Sequence, residues 1–431
     1  MKLKKIYSFF IIIFVLFPSV YCELFIQGTD SYLIFMDSSA GVNFTTDVKS
    51  FCGEKVLVKD STEIIDSSDA TEPDFTYANV NEFPCLDSGG SGGDDGLATS
   101  FDHGPGDIDV NTTTTALVYD LWVSKHHKLN FDTATAGGDI TFDGQTHFAH
   151  CARETRDITG LSPIIIVSGG NDVEFKNVVL KDFSTRYIDL QNNSKVLFGD
   201  GTTLEITDNM VMDSQCTITV DGKVTINCFG NKLDITNVIR AIEINSSSTL
   251  VINNGHIKGL SGDNLRCLAD DATLTLSNCI LDLESEYSFR FGYLNIYQEV
   301  ELVGTTTFEY KSPQQMRIYK GAKFKVGMGG IFSYNAGISA ANAGNDKIIF
   351  EDESAKMFLE GCTFHVTTTG LQLTKGTLIV DHIVTFSSDG NNVFEAIAFG
   401  NGTASDNLNI EIMPGGNIEL TSGFLCYLNA D

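Results

Sequence analysis

The sequence predicts an all-β fold, a right-handed parallel β-helix (β-solenoid) of roughly 10 to 11 rungs with a less regular β-rich region before it. One apolar motif returns along most of the chain, its apolar residues alternate with polar ones, and Asn, Asp, Gly and Ser fill the intervals. Spacing typical of amphipathic helices is almost absent. We therefore expect each repeat to form one rung that buries its apolar face against the next.

The motif consists of two apolar residues one position apart, two polar residues, and then a small or apolar residue before the next apolar one. It is clearest at 173–180, 250–257 and 274–281. The polar interruption predicts a corner between two strands. The first apolar positions recur with a mean step of about 26 residues, which is too long and irregular for leucine-rich repeats. These positions are Val173, Val196, Val224, Leu250, Leu274, Val300, Phe324, Met357, Leu378 and Ile410.

The stretches 140–144, 173–183 and 272–283 resemble the pectate-lyase-like right-handed β-helix superfamily. Within it, the pattern is most similar to secreted bacterial β-helix proteins and autotransporter passengers. The resemblance covers residues 140–431 and implies a parallel β-helix there. It also implies polysaccharide cleavage as one activity that this fold supports, although a fold does not by itself determine function.

Three segments precede or form the predicted solenoid. Residues 1–22 are typical of a cleaved signal peptide, because lysines come before an apolar run of about 15 residues, shorter than the roughly 20 that span a membrane. Residues 23–139 are expected to form an irregular cap or early rungs, with an acidic glycine-rich loop at 87–109. Residues 140–431 form the predicted β-helix. We expect a secreted or cell-surface protein, or a periplasmic one, with no transmembrane segment after cleavage.

Composition restricts the partners. The chain has 28 basic and 56 acidic residues, and loss of three lysines with the leader takes the net charge from −28 to −31. This charge repels phosphate backbones and anionic lipids, so we expect no nucleic-acid partner. Glycans and host or cell-surface proteins stay open as partners. The stretch at 424–431 has no polar capping element, which allows end-to-end stacking on a partner.

The cysteines do not indicate a disulfide scaffold. Nine remain after removal of the leader, an odd number in a long chain. Cys52 with Cys85 is the one candidate bridge, since both lie in the irregular N-terminal part. The others fall within strand patterns and are expected to be small core residues.

The acidic loop contains the best candidate metal ligands. Carboxylates are the hard oxygen ligands that calcium prefers. The stretch GGSGGDDGL at 89–97 overlaps a calcium-binding nonapeptide pattern but occurs once, so a plain solvated loop is the alternative. No other cofactor is expected. The candidate calcium ligands are Asp94, Asp95, Asp102, Asp107 and Asp109.

Catalytic residues cannot be assigned from the sequence. Asp270 and Asp271 resemble the acid pair of hydrolases on this scaffold, but the repeat register places both in a turn. His256 follows a corner glycine and should point outward, and nothing in the sequence pairs Arg266 or Arg290 with acids. We therefore expect a structural, adhesin-like or binding module without catalysis. A polysaccharide lyase or glycoside hydrolase is the alternative.

Overall fold

The structure is a computed structural model that describes residues 32–35, 42–44, 55–58, 64–66, 108–110, 112–116, 121–122, 129–132, 139–145, 148–150, 165–336, 347–367, 370–389 and 397–430. Strand accounts for 57% of it and helix for 2%. The strands form a parallel β-solenoid of about 11 turns over residues 114–427, which confirms the predicted fold class. Within the described residues of the solenoid, two 3-10 helices occur, Thr185–Tyr187 and Ala404–Asp406.

The solenoid strands stack into walls, because most strands pair with the equivalent strand of the rungs before and after them. Among the described residues, strand pairing is interrupted in wall 1 between Leu265–Cys267 and the end of Thr273–Phe289, and in wall 2 between Ile348–Phe350 and Leu371–Leu373. Wall 1 contains Thr114–Ala116, Asp139–Asp143, Asp172–Lys176, Lys195–Gly199, Ile218–Asp221, Ile242–Ile244, Leu265–Cys267, the end of Thr273–Phe289, Thr307–Tyr310, Ile331–Tyr334, Thr363–Val366, Ile383–Ser388 and Asn417–Ser422. Wall 2 contains Leu121–Trp122, Phe148–His150, Val179–Lys181, Thr203–Glu205, Lys223–Asn227, Thr249–Asn253, the starts of Thr273–Phe289 and Tyr293–Val303, Met316–Ile318, Ile348–Phe350, Leu371–Leu373, Ile397–Phe399 and Leu425–Tyr427.

Wall 3 begins at Met210–Val211 and follows wall 2 in each later rung. It continues through Lys232–Asp234, His256–Gly262, the middle of Thr273–Phe289, the end of Tyr293–Val303, Lys323–Val326, Lys356–Glu360, Thr377–Asp381 and Asn409–Ile412. The first rungs instead have a four-stranded sheet of Ile108–Val110, Leu129–Phe131, Ile165–Val167 and Ile188–Leu190. Parallel pairing therefore begins upstream of residue 140.

Residues 1–83 form a separate compact unit. Its described strands pair in parallel, Tyr32–Phe35 with Lys55–Val58 and Val42–Phe44 with Ile64–Asp66. Paired residues are 23 and 22 positions apart. Since Val173 and Val196 of the solenoid are also 23 positions apart, the N-terminal strands pair at the spacing of a rung.

Inward columns of apolar side chains form the core. In wall 2, Val224, Leu250, Leu274, Leu294 and Met316 lie in register one above another, and all are buried. Burial of a Leu-sized side chain contributes about 1.5 to 3 kcal/mol, so a continuous column is a large part of the stability of the rod.

The repeated sequence motif occupies three columns rather than one. Its first two copies start in wall 1, the copies at Val224, Leu250 and Leu274 start in wall 2, and those from Val300 onward start in wall 3. The true partner of Leu274 in the next rung is Leu294, 20 residues on, and not Val300. Corners of unequal length cause this shift.

Corners between walls use left-handed backbone conformations. Asn254 and Asn278 have positive φ and join adjacent rungs through a 2.9 Å hydrogen bond from Asn278 Nδ2 to Asn254 Oδ1. Gly259 has φ +86°, and a Cβ there would lie 2.2 Å from Thr236 Oγ1. Glycine is required at that position for both reasons.

Most described cysteines are core residues, as predicted. Burial raises the pKa of the Cys216 thiol to about 12, which makes it unreactive. Cys426 is only partly buried, while Cys52 and Cys85, the candidate bridge, lie outside the described residues. The buried free cysteines are Cys216, Cys228, Cys267, Cys279 and Cys362. Within the described ranges, the structure contains no helix with the length and apolar character of a membrane span.

Candidate functional site

The candidate site is an outward column of polar side chains on wall 1. Its members are in register on successive rungs and point away from the core, because strand residues alternate between the two faces. We call this column the polar ladder. It consists of Ser288, Glu309, Ser333, His365 and Ser387.

Glu309 is the most constrained member of the ladder. Its carboxylate forms an ion pair with Lys311, whose Nζ lies 2.7 Å from Oε2. Ser288 donates to Oε2 at 2.7 Å, and Asn335 Nδ2 donates to Oε1 at 2.8 Å. Glu309 is only 8% exposed, and both of its carboxylate oxygens have hydrogen-bond partners. Burial disfavours the ionised form, but these hydrogen bonds outweigh it and lower the pKa of Glu309 below its ordinary 4.5.

His365 connects the next two rungs. Its Nδ1 lies 2.9 Å from the Ser387 hydroxyl, and its Nε2 lies 3.4 Å from Asp389 Oδ2. With the proton on Nε2, His365 donates to Asp389, and Nδ1 then accepts a hydrogen bond from the Ser387 hydroxyl. Ser333 is buried between Glu309 and His365 in the column. The ladder thus presents a carboxylate, hydroxyls and an imidazole in fixed positions.

The sequence contains a pattern that indicates this ladder, although the alternation of apolar and polar residues alone does not reveal it. Three of its members stand between two buried aromatic residues. These triplets are Tyr287-Ser288-Phe289, Phe308-Glu309-Tyr310 and Phe332-Ser333-Tyr334. A polar residue between two aromatic ones in a strand must lie on the face opposite the core, and the triplets recur at the spacing of a rung.

A second charged cluster lies on the outer face of wall 3. Lys325 Nζ is 2.8 Å from Glu301 Oε1 and 2.7 Å from Glu360 Oε2, on the two adjacent rungs. Burial opposes the charge of Lys325, but the two carboxylates outweigh it and raise its pKa to about 12. Lys325 and Lys323 both lie over the Phe358 ring, at 5.7 and 5.8 Å from its centroid. Lys325, Glu301 and Glu360 are therefore already paired with one another.

At the following corner, Glu360, Asp381 and His382 bring one ligand atom each within 4.8 Å of one another. His382 Nδ1 lies 3.2 Å from Asp381 Oδ1, and Lys325 already pairs with Glu360. These residue types are metal ligands in other proteins. Here the three side chains are exposed or partly exposed and engaged with one another, and the sequence analysis did not single them out.

The predicted calcium ligands are only partly described. Asp94, Asp95, Asp102 and Asp107 lie outside the described residues. Asp109 is in the strand Ile108–Val110, in register with Asn130 of the next rung. The calcium site stays a prediction.

Asp270 and Asp271, the acid pair that resembles that of the hydrolases, are turn residues, as the register indicated. Asp271 accepts hydrogen bonds from the hydroxyls of Ser247 at 2.7 Å and Ser246 at 2.9 Å, one rung away. The side-chain bond from Ser247 is the main cause of the lowered pKa of Asp271. Its carboxylate therefore has a structural role at the corner.

Two of the outward basic residues, His256 and Arg266, are paired with acids on an adjacent rung. His256 Nε2 lies 3.3 Å from Asp282 Oδ2 in the next rung. The expectation that Arg266 has no acidic partner is wrong, because it donates to Glu243 at 3.0 Å through Nε and to Asp263 at 3.0 Å through Nη1. Glu243 lies 23 residues earlier, so only the stacking of rungs brings the pair together. Arg290 is exposed and directly follows the strand Thr273–Phe289.

Comparison with known proteins gave no match, either among family profiles, among curated proteins or among solved structures.

Proposed function

We propose that this protein is a secreted or cell-surface β-solenoid that binds a glycan along the polar ladder without cleaving it. The observation that carries the proposal is the hydrogen-bonded Glu309, whose two oxygens are held by three different side chains. Binding sites need polar groups that are fixed before the ligand arrives, because ordering them on binding costs affinity.

The protonation state of Glu309 favours binding over hydrolysis. A glycosidase needs one carboxylic acid with a raised pKa to protonate the leaving oxygen. The Lys311, Asn335 and Ser288 contacts instead lower the pKa of Glu309, so its carboxylate is ionised at neutral pH. An ionised carboxylate has no proton to donate, so Glu309 is unsuited to the role of the general acid.

The geometry and charge of the wall support a neutral glycan. The ladder repeats at the spacing of parallel strands, about 4.8 Å, with a polar group at each step. His365 and Ser387 are its partly exposed members, and Ser288, Glu309 and Ser333 are buried beside them. An extended saccharide offers hydroxyl groups repeatedly along its length. The chain carries a net charge of −28, which disfavours uronates, sulfates and nucleic acids. Basic cell-surface proteins are the other class of partner that this charge supports.

A polysaccharide lyase or hydrolase of the pectate-lyase-like type is the second candidate. Two acid–base pairs lie along wall 1, Glu309 with Lys311 and, two rungs later, His365 with Asp389. Acids and bases along one wall are what such enzymes need. In this alternative His365, oriented by Asp389, would be the base.

The test exposes the purified chain to a panel of neutral and acidic polysaccharides and measures both retention and new reducing or unsaturated ends. We expect retention by a neutral polysaccharide, no new ends with or without calcium, and loss of retention in His365→Ala. Thr275→Ala, an outward change on wall 2, is the matched control. New ends that disappear in His365→Ala would establish the enzyme instead. Exclusive recovery from the cytoplasm of the native host would refute secretion.

A further inference from the structure

Two tyrosines form a stacked pair on the outer face of wall 2. Tyr297 and Tyr319 follow the paired residues Ile296 and Ile318, so they lie directly opposite each other on adjacent rungs. Their ring centroids are 4.1 Å apart and their planes differ by 14°. Tyr297 is 38% exposed, and Tyr319 is partly exposed.

A second stacked tyrosine pair provides a contrast within the same molecule. Tyr310 and Tyr334 have centroids 6.4 Å apart and are both buried in the core. The Tyr310 hydroxyl donates to the Gln314 carbonyl oxygen at 2.9 Å. The Tyr297–Tyr319 pair is therefore both closer and open to solvent.

The Tyr297 phenol is protonated at neutral pH. Burial, followed by the neighbouring Tyr319 hydroxyl, raises the pKa of Tyr297 to about 12. Its oxidation at neutral pH thus removes a proton together with an electron, which gives a neutral phenoxyl radical. The stacked neighbour is then within reach of that radical without any movement of the backbone.

We propose that Tyr297 and Tyr319 are a site of oxidative cross-linking, at which a peroxidase-type oxidant joins adjacent rungs through dityrosine. Each phenol loses one hydrogen atom, and the two radicals form a carbon–carbon bond between ring positions ortho to the hydroxyls. The hydrogens on those two carbons then move to the oxygens and restore both phenols. Hydrogen peroxide takes up the two electrons and two protons and becomes two water molecules.

The link would join residues 22 positions apart in sequence and one rung apart in space. A covalent bond of this kind restricts the unfolded chain more than the folded one, and the rungs are already in contact. We therefore expect the melting temperature to rise on cross-linking. The inference does not depend on the glycan-binding proposal.

The test treats the purified chain with a haem peroxidase and limiting hydrogen peroxide. We expect dityrosine fluorescence in the monomer fraction, a linked peptide pair that contains Tyr297 and Tyr319 and lacks two hydrogens, and a higher melting temperature. Tyr297→Phe and Tyr319→Phe should each abolish all three, since phenylalanine keeps the stacking but has no phenol. Tyr293→Phe, on the same wall, should cross-link like the wild type.

Circular dichroism before oxidation would establish that each variant is folded. Unchanged dityrosine in Tyr297→Phe would refute the proposal. So would a wild-type product that consists only of dimers joined through Tyr427, which is 69% exposed.

Discussion

Replacement of Leu274 by alanine tests the stacking of rungs in the middle of the solenoid. Leu274 is 2% exposed and lies between Leu250 and Leu294 in the inward column of wall 2. The change removes three buried carbons, and at about 0.8 kcal/mol for each the transfer loss is about 2.4 kcal/mol. A cavity that the neighbouring rungs cannot close adds to this and brings the expected loss to about 2.5 to 5 kcal/mol.

The assay is urea unfolding followed by circular dichroism. Thr275→Ala, which changes the outward neighbour on the same strand, should alter the unfolding free energy by less than about 0.5 kcal/mol. A loss below about 1 kcal/mol for Leu274→Ala, or equal losses for the two variants, would refute the assigned register. Leu274→Asp should cost more than Leu274→Ala, because it buries an unpaired charge, and we expect it to prevent export in soluble form.

Three further predictions concern single side chains. The difference in unfolding free energy between wild type and Glu309→Gln should be largest near neutral pH and shrink as the pH falls below 4.5, because the folded-state pKa is lowered. For Lys325→Met the difference should be largest below pH 10.5 and shrink as the pH rises to about 12, because that pKa is raised. Gly259→Ala should destabilise the fold more than Gly230→Ala. Both glycines have φ near +86°, but a Cβ at Gly259 would collide with Thr236, whereas a Cβ at Gly230 meets nothing within 4 Å. Chemical unfolding, at varied pH for the two charged residues, measures all three effects.

The sequence was sufficient to predict the fold class because the solenoid core depends on alternation, which is a local property. Val173 and Phe175 point inward and their neighbours outward, and this is visible within five residues. The register across rungs was not predictable in the same way. It depends on corner lengths, and the short 20-residue step from Leu274 to Leu294 moved the apparent motif from one wall to the next.

The candidate site was harder to find for the same reason. Glu309 meets Ser288 and Asn335, which are 21 and 26 residues away in the chain, and no local pattern connects them. Only a correct register brings the three together. Arg266 shows both cases, because Asp263 lies three residues away and is open to a local search, whereas Glu243 lies on the preceding rung and is not.

The most direct test of glycan binding at the ladder is calorimetric titration of wild type, Glu309→Gln, His365→Ala and Thr275→Ala with the neutral polysaccharide that the panel retains. Glu309 is largely buried and its oxygens are occupied, so it acts by holding Ser288, Asn335 and Lys311 in place. Glu309→Gln loosens these contacts, and we predict that it weakens binding by up to about tenfold, because the released side chains must be ordered again when the ligand binds. His365→Ala should also weaken it, and Thr275→Ala should leave it unchanged. Equal affinity in all four proteins would place the ligand elsewhere and contradict the proposed site.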